Sequence, residues 1–365
     1  MAEHTPLHDI TAQAGAVFVE NAGWLVPAHY GDARTEYEQT RSSAALFDLS
    51  HRGKVEVSGA DAGSFLHNLT TNDVKGLPIG AGCEAFLTTA TAKVVDHLFL
   101  YHVLLSGDRE AYFLDLEPGR SEKLIQHLDR YVISESVEFA DRTREFAHLH
   151  LAGPRAKDIL EKALLDDVPD LEPLQHMVRT FGANAHSHVR RHDPLALPGY
   201  DIVCLSNLAA NVWGMLVRAG ARPAGLEAYD LLRVEAGTPV FGADIDENRF
   251  VVEVGRVAQA ICYTKGCFLG QEPIVMARDR GQVQRTLLGL KVSGDGPLPR
   301  GSKLFRDGKD VGVTASSVVS PALGQPIALA YVRRGSQEPG TVVEIETGPD
   351  HRRGEVVPLP FPGSR

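Results

Sequence analysis

Val94-Val95-Asp96-His97-Leu98-Phe99-Leu100-Tyr101-His102-Val103-Leu104-Leu105 is dense in β-branched, aromatic and other apolar residues, the types that fit a pleated strand. Shorter runs of the same kind flank it: Ala85-Phe86-Leu87-Thr88 before it and Tyr112-Phe113-Leu114-Asp115-Leu116 after it. The gaps between the three are too short to hold a crossover helix, so they read as an antiparallel meander. Outward from this meander, Lys54-Val55-Glu56-Val57-Ser58-Gly59 alternates with period two, as a half-buried strand does. Further strand pieces fall at Val137 to Arg142, Phe146 to Leu151, His188 to Arg191 and Tyr200 to Leu205. Helical spacing marks Thr35 to Ser43, Asp61 to Leu69, Ser121 to Tyr131, Ala156 to Leu164, Leu208 to Ala219 and Leu226 to Glu235. Strands therefore come in hairpin groups with helices between the groups, which is an α+β pattern and not a doubly wound parallel sheet.

Past Arg280 the composition changes. Thr286 to Val292, Lys303 to Arg306, Asp310 to Ser317, Ile327 to Val332 and Thr341 to Glu346 read as short strands joined by turns. This predicts a small antiparallel β-barrel or sandwich over 285–365, with Pro358 to Arg365 as a loose tail.

The formal net charge is −10, from 37 basic and 47 acidic residues. Nucleic acid or an anionic membrane would want a basic surface, so neither is expected as the main partner. The four cysteines, Cys83, Cys204, Cys262 and Cys267, lack the paired spacing of a zinc or iron–sulfur site, so no metal is expected within the chain. Reduced thiols fit a cytoplasmic location. Residues 1–10 hold no apolar run of a secretory signal, and no apolar stretch reaches membrane-spanning length. His148 and His150 alternate along a strand-like segment and read as structural.

One stretch stands apart: Lys265-Gly266-Cys267-Phe268-Leu269-Gly270-Gln271-Glu272. A thiol two residues from a lysine is a candidate reactive cysteine. The same eight residues also fit a loop-to-helix junction with Cys267 and Phe268 buried.

Several segments resemble glycine-cleavage T-proteins, the aminomethyltransferases. They are Gly23-Trp24, Pro27 and Tyr30-Gly31, then Leu46-Phe47-Asp48-Leu49-Ser50-His51 with Gly59, Phe65-Leu66 and Thr70 through Val74. Leu232-Arg233-Val234-Glu235-Ala236-Gly237 with Gly242 and Asp246-Glu247 is similar to the same family, as are Val311 to Thr314, Ser320-Pro321 and Ile327 to Val332. The octapeptide, with Arg278 and Gly281 beyond it, instead resembles the signature of the YgfZ-type folate-binding proteins.

The resemblance implies a three-domain cloverleaf of the aminomethyltransferase type, with ferredoxin-like α+β domains and a C-terminal antiparallel β-barrel. Its expected bounds are 1–52 with 146–280 for a discontinuous folate-binding domain, 53–145 for a second α+β domain, and 285–365 for the barrel. Tetrahydrofolate is the implied cofactor. Glu235 matches the family's pterin-binding glutamate and Tyr101 an aromatic near the pterin. Lys265, Gln271 and Arg278 are further candidate cofactor contacts.

T-proteins carry two adjacent aspartates where this chain has Asp96-His97, so Asp96, His97 and Cys267 are the candidate catalytic residues. Neighbours on a strand face opposite sides, and either of Asp96 and His97 could face the folate. The octapeptide's resemblance implies a tetrahydrofolate-binding protein that supports iron–sulfur cluster assembly or repair, with assembly or client proteins as partners. The alternative is a folate-dependent aminomethyltransferase or demethylase.

Overall fold

A computed structural model describes residues 2–105, 107–281, 283–348 and 350–363. The chain divides into two compact units. One comprises 1–67, 73–85 and 98–229, and the other 68–72, 86–97 and 230–365.

The first unit holds a six-stranded sheet in the order His176–Phe181, Ala185–Arg191, Gly199–Leu205, Phe146–Ala152, Ala45–Asp48, Arg222–Ala224. Period-two alternation gives this sheet two unlike faces. On one face Leu149, Leu151, Val189, Tyr200, Ile202 and Cys204 pack against the helices Ala156–Leu164 and Ala209–Ala219, through Ile159, Leu160, Val212, Trp213 and Leu216. The other face is polar, and strand register decides what it carries. Asp201 pairs with Arg190 on one side and His150 on the other, and His150 pairs in turn with Phe47. The next row brings His188 and His148 to either side of Val203.

The meander of the sequence is the second sheet, ordered Gly82–Thr88, Val94–Leu105, Arg109–Leu116, Gly53–Ser58, Glu138–Asp141. Here Asp115 pairs with Phe99 and with Lys54, and Tyr101 pairs with Phe113. Inside the first unit the polar faces of the two sheets meet. The Arg190 guanidinium lies 4.1 Å from the centre of the Tyr101 ring, Phe99 packs on His192, and Phe113 packs on His188.

The second unit ends in a closed barrel of six antiparallel strands, ordered Arg285–Val292, Gln325–Arg333, Lys309–Ser320, Lys303–Arg306, Val342–Thr347, Asp350–Val357. One face of these strands is lined by Leu290, Val292, Leu304, Ala328, Ala330, Val332, Ile345 and Val356. A second cluster joins Leu287, Ile327, Leu329 and Tyr331 to Val234 and Phe361. The α+β fold with a C-terminal barrel therefore agrees with the sequence reading.

Two elements depart from that reading. His176–Phe181 is a strand in a stretch that shows no strand signal, because polar His176 is buried while apolar Val178 is exposed, so burial does not follow the apolar pattern. Pro358 to Phe361 is not a loose tail. Phe361 is 1 % exposed, its N–H donates to the Glu235 carbonyl, and its ring fills the space over Gly289, where a Cβ would come within 2.8 Å. Residues 364–365 lie outside the described residues. No helix among the described residues is long and apolar enough to cross a membrane.

Candidate functional site

The polar layer of the first unit gathers many titratable groups, among them Asp115, Arg190, His148, His150, His192 and Asp201. Arg190 is fully buried and donates from Nη1 to Asp115 Oδ2 at 2.5 Å. Lys54 is equally buried, and its ammonium donates to the Ser50 and Arg52 carbonyls at 2.9 and 2.8 Å. Burial pushes that ammonium down to about 8, although Asp115 and Asp48 favour its charge. Arg52 stacks on Tyr229 and lies 3.3 Å from Glu117. Tyr101 is 0 % exposed, and its hydroxyl has no hydrogen-bond partner among the described residues. Burial, then Asp115, pushes that phenol well above its ordinary value, so it stays a neutral donor and acceptor.

Asp201 is the centre of the second half of the layer. His150 Nδ1 lies 2.7 Å from its Oδ1 and His192 Nδ1 lies 2.7 Å from its Oδ2. His148 Nε2 is 3.0 Å from Oδ1, within ion-pair reach but outside hydrogen-bond geometry. Burial alone would raise the Asp201 carboxyl. The charges of His148 and His192 and the hydrogen bond of His150 outweigh it and hold the group well below its ordinary value. Burial keeps nearby imidazoles neutral: His51 and His188 are pushed down to about 3 and His176 to about 4. Among the described residues no group of three or more His, Cys, Asp or Glu is arranged to hold a metal ion.

The sequence reading took His148 and His150 as structural and singled out neither Asp201, Arg190 nor His192. A signal was present. His148 and His150, and His188, Arg190 and His192, recur every second residue along strands whose intervening positions include Leu149, Leu151 and Val189.

In the second unit Asp96 and His97 are both buried, at 1 % and 7 % exposure. The question of which one faces inward therefore gives way to two buried faces. Asp96 Oδ1 accepts from the His97 backbone N–H at 3.0 Å, and the His97 ring stacks on Phe86 at 4.7 Å. Lys265 is buried, with its ammonium donating to the Thr70 and Asn72 carbonyls at 2.8 and 2.7 Å. It acts as a staple for the 68–72 segment.

Glu235 likewise has protein partners. Its Oε1 accepts from the Ser320 hydroxyl and from the Ala322 N–H at 3.3 Å, which ties the helix Leu226–Ala236 to the barrel. Cys267 is exposed, whereas Phe268 beside it is buried. Gly270, at φ +84°, precedes the helix Gln271–Arg280, and an added Cβ there would meet Thr88 and Thr89 within 2.6 Å. Gln271 Nε2 reaches the Gly266 carbonyl at 3.4 Å. Arg278 is exposed, pairs with Asp279 at 2.7 Å and stacks over Tyr263. Of the remaining positions the resemblance touches, His51 is buried.

Residues 7–260 match the family described as the GCVT N-terminal domain, and residues 285–362 the glycine cleavage T-protein C-terminal barrel domain. The chain belongs to the glycine-cleavage T-protein family. It is 33 % identical over 357 residues to an aminomethyltransferase of Rubrobacter xylanophilus, covering 98 % of this chain and 93 % of the relative. It is 30 % identical over 366 residues to an aminomethyltransferase of Bacillus subtilis, covering 99 % of each. The fold superposes on the crystal structure of glycine cleavage system aminomethyltransferase T from Bartonella henselae with a TM-score of 0.89 at 25 % identity, covering 100 % of this chain and 99 % of the other.

These likenesses overturn the iron–sulfur reading drawn from the octapeptide. The relatives matched along nearly their whole length are named aminomethyltransferases, and nothing in them points to iron–sulfur clients or assembly partners. Eight residues of local similarity, two of whose side chains serve local packing, do not outweigh a match across both domains.

Proposed function

We propose that this protein is a tetrahydrofolate-dependent one-carbon transferase of the aminomethyl type. The observation that carries the reading is the extent of the similarity, which spans both T-protein domains and nearly the full length of relatives named aminomethyltransferase. The residues present suit a folate. A pterin edge offers several N–H donors and needs buried acceptors to read them. The polar layer of the first unit carries carboxylate acceptors in Asp115 and Asp201. When bound, tetrahydrofolate supplies the amine nitrogens that take up the carbon. Asp96 is the carboxylate that the family resemblance assigns to hold a proton at the reacting amine.

The test supplies purified protein with tetrahydrofolate and an aminomethyl-lipoyl carrier protein, and follows methylenetetrahydrofolate through an NADP-linked dehydrogenase. Product formation that Asp96→Asn lowers by about 100-fold or more is the expected result. A second reading, transfer from a different methylated amine or ether, is favoured by His97, an imidazole where the family resemblance implies a second aspartate. Product from such a donor, and none from the carrier protein, would establish it. No one-carbon transfer from either class refutes both.

A further inference from the structure

We propose that the outer edge of the strand His176–Phe181 is a docking site for an extended segment of a partner protein. That segment adds to the sheet as one more strand and carries basic residues alternating with apolar ones. The site goes beyond the folate reading and does not rest on it.

His176–Phe181 stands at the end of its sheet, with Ala185–Arg191 on one side only. Its register with that neighbour runs without a shift, so every second residue turns its N–H and C=O outward. His176 gives the phase: its N–H donates to the Gly80 carbonyl at 2.8 Å and not to the neighbouring strand. Val178 and Thr180 therefore face outward too. Among the described residues neither of their N–H groups has an acceptor on that side. Open edges of this kind are templates for pairing, and charged side chains commonly guard them. The charged residue here, Arg179, is turned aside. Its Nη1 donates to the Val178 carbonyl at 3.1 Å and its Nε lies 3.6 Å from Asp166 Oδ2.

The two sides of this edge differ, and they set the chemistry of the occupant. Val178 pairs with His188 and shares its side of the sheet, where it is apolar and 49 % exposed. Arg179 lies on the other side with Met177 and Phe181, which pack in the apolar cluster of the helix Ala156–Leu164. That helix ends beside Arg179 at Leu165, Asp166 and Asp167, all three exposed. An incoming strand alternates its side chains between the two sides. Apolar residues on one side cover Val178, and basic residues on the other meet Asp166 and Asp167. A second copy of this chain is the poorer occupant. It brings a net charge of −10 to an acidic neighbourhood, and pairing Val178 with Thr180 about a two-fold axis sets Arg179 against Arg179.

The experiment titrates the 15N-labelled full-length protein with a short capped peptide of alternating lysine and valine and reads amide hydrogen exchange by NMR. In the free protein the Val178 and Thr180 amides should exchange about ten-fold or more faster than those of Met177 and Arg179, which the neighbouring strand holds. Peptide should slow the Val178 and Thr180 amides by about ten-fold or more. Calorimetry then compares wild type with Thr180→Pro, which removes one outward N–H at an edge position where proline is tolerated, and with Asp166→Asn. Each should bind the peptide about five-fold more weakly, and the second variant decides if the first does not fold. Four amides that exchange alike in the free protein, or no slowing with peptide, overturn the proposal. Equal binding of a peptide of alternating glutamate and valine overturns the basic partner. Self-association of the wild type that Thr180→Pro abolishes overturns it in favour of a second copy.

Discussion

Replacing Lys265 with methionine separates structure from ligand binding in the Lys265–Glu272 octapeptide. The Lys265 ammonium is buried and donates to two backbone carbonyls of one short segment, Thr70 at 2.8 Å and Asn72 at 2.7 Å. A hydrogen bond from a charged donor contributes about 1.5–3 kcal/mol, and two of them are lost. Part of that gain is already offset by the cost of burying the ammonium, which methionine does not incur. Methionine also keeps the unbranched length of the side chain and its packing near Phe268, so the net loss comes to about 3 kcal/mol. The second unit comprises roughly 150 residues, a size at which 1 kcal/mol moves the melting temperature by about 2–4 °C. If the unit melts on its own, the Lys265→Met transition falls by about 6–12 °C. Differential scanning calorimetry reads the transition, and 5-formyltetrahydrofolate titration of the same samples reads the ligand. The expected outcome is a lower transition with an affinity within two-fold of wild type. An unchanged transition with a lost affinity would refute the structural reasoning and return Lys265 to the ligand.

Glu235→Ala should behave in parallel. It leaves the buried Ser320 hydroxyl and Ala322 N–H without their acceptor, at a cost of about 2–4 kcal/mol in urea unfolding, with reduced-folate affinity unchanged; a ten-fold affinity loss would count against this. Phe361→Ala should cost about 3–5 kcal/mol because the ring fills the space over Gly289 at 1 % exposure, and a loss under 1 kcal/mol would show that the tail does not dock in solution. Acid should destabilise the first unit well above the carboxylate range. The buried imidazoles of His51, His176 and His188 sit at about 3, 4 and 3, below the ordinary 6.5 that they regain on unfolding. Stability is then intact above pH 6.5 and falls as pH drops from 6.5 toward 4, by up to about 2 kcal/mol per histidine at pH 5. Urea midpoints measured from pH 7.5 to 5 check this, and a flat profile across that range would contradict the burial of these rings.

Much of the fold was legible from local pattern. The run Val94–Leu105 is a single strand as its composition predicts, and the helices Ala156–Leu164 and Ala209–Ala219 fall where helical spacing places them. His176–Phe181 escaped because its buried His176 is polar and its exposed Val178 apolar, which leaves no alternation to detect. The candidate site was less legible. Glu235 and Lys265 carry the right chemistry for a ligand, and in the fold they also hold Ser320 and Ala322 in one case and two carbonyls in the other. Nothing in the local sequence distinguishes a carboxylate facing a ligand from one facing a neighbouring strand.

What the sequence by itself determined is the set of elements and their faces, because side-chain period follows directly from backbone geometry within each segment. It also determined the family, through similarity running along the whole chain. Only the tertiary structure decided which faces meet. Phe146–Ala152 lies between Gly199–Leu205 and Ala45–Asp48, partners about 50 and 100 residues away, and a one-residue slip in that pairing would turn His148 and His150 into the apolar core. Register is set by the burial of the whole sheet and by no stretch within it. For that reason Asp201, Arg190, His150 and His192 came together in space although no motif in the chain joins them.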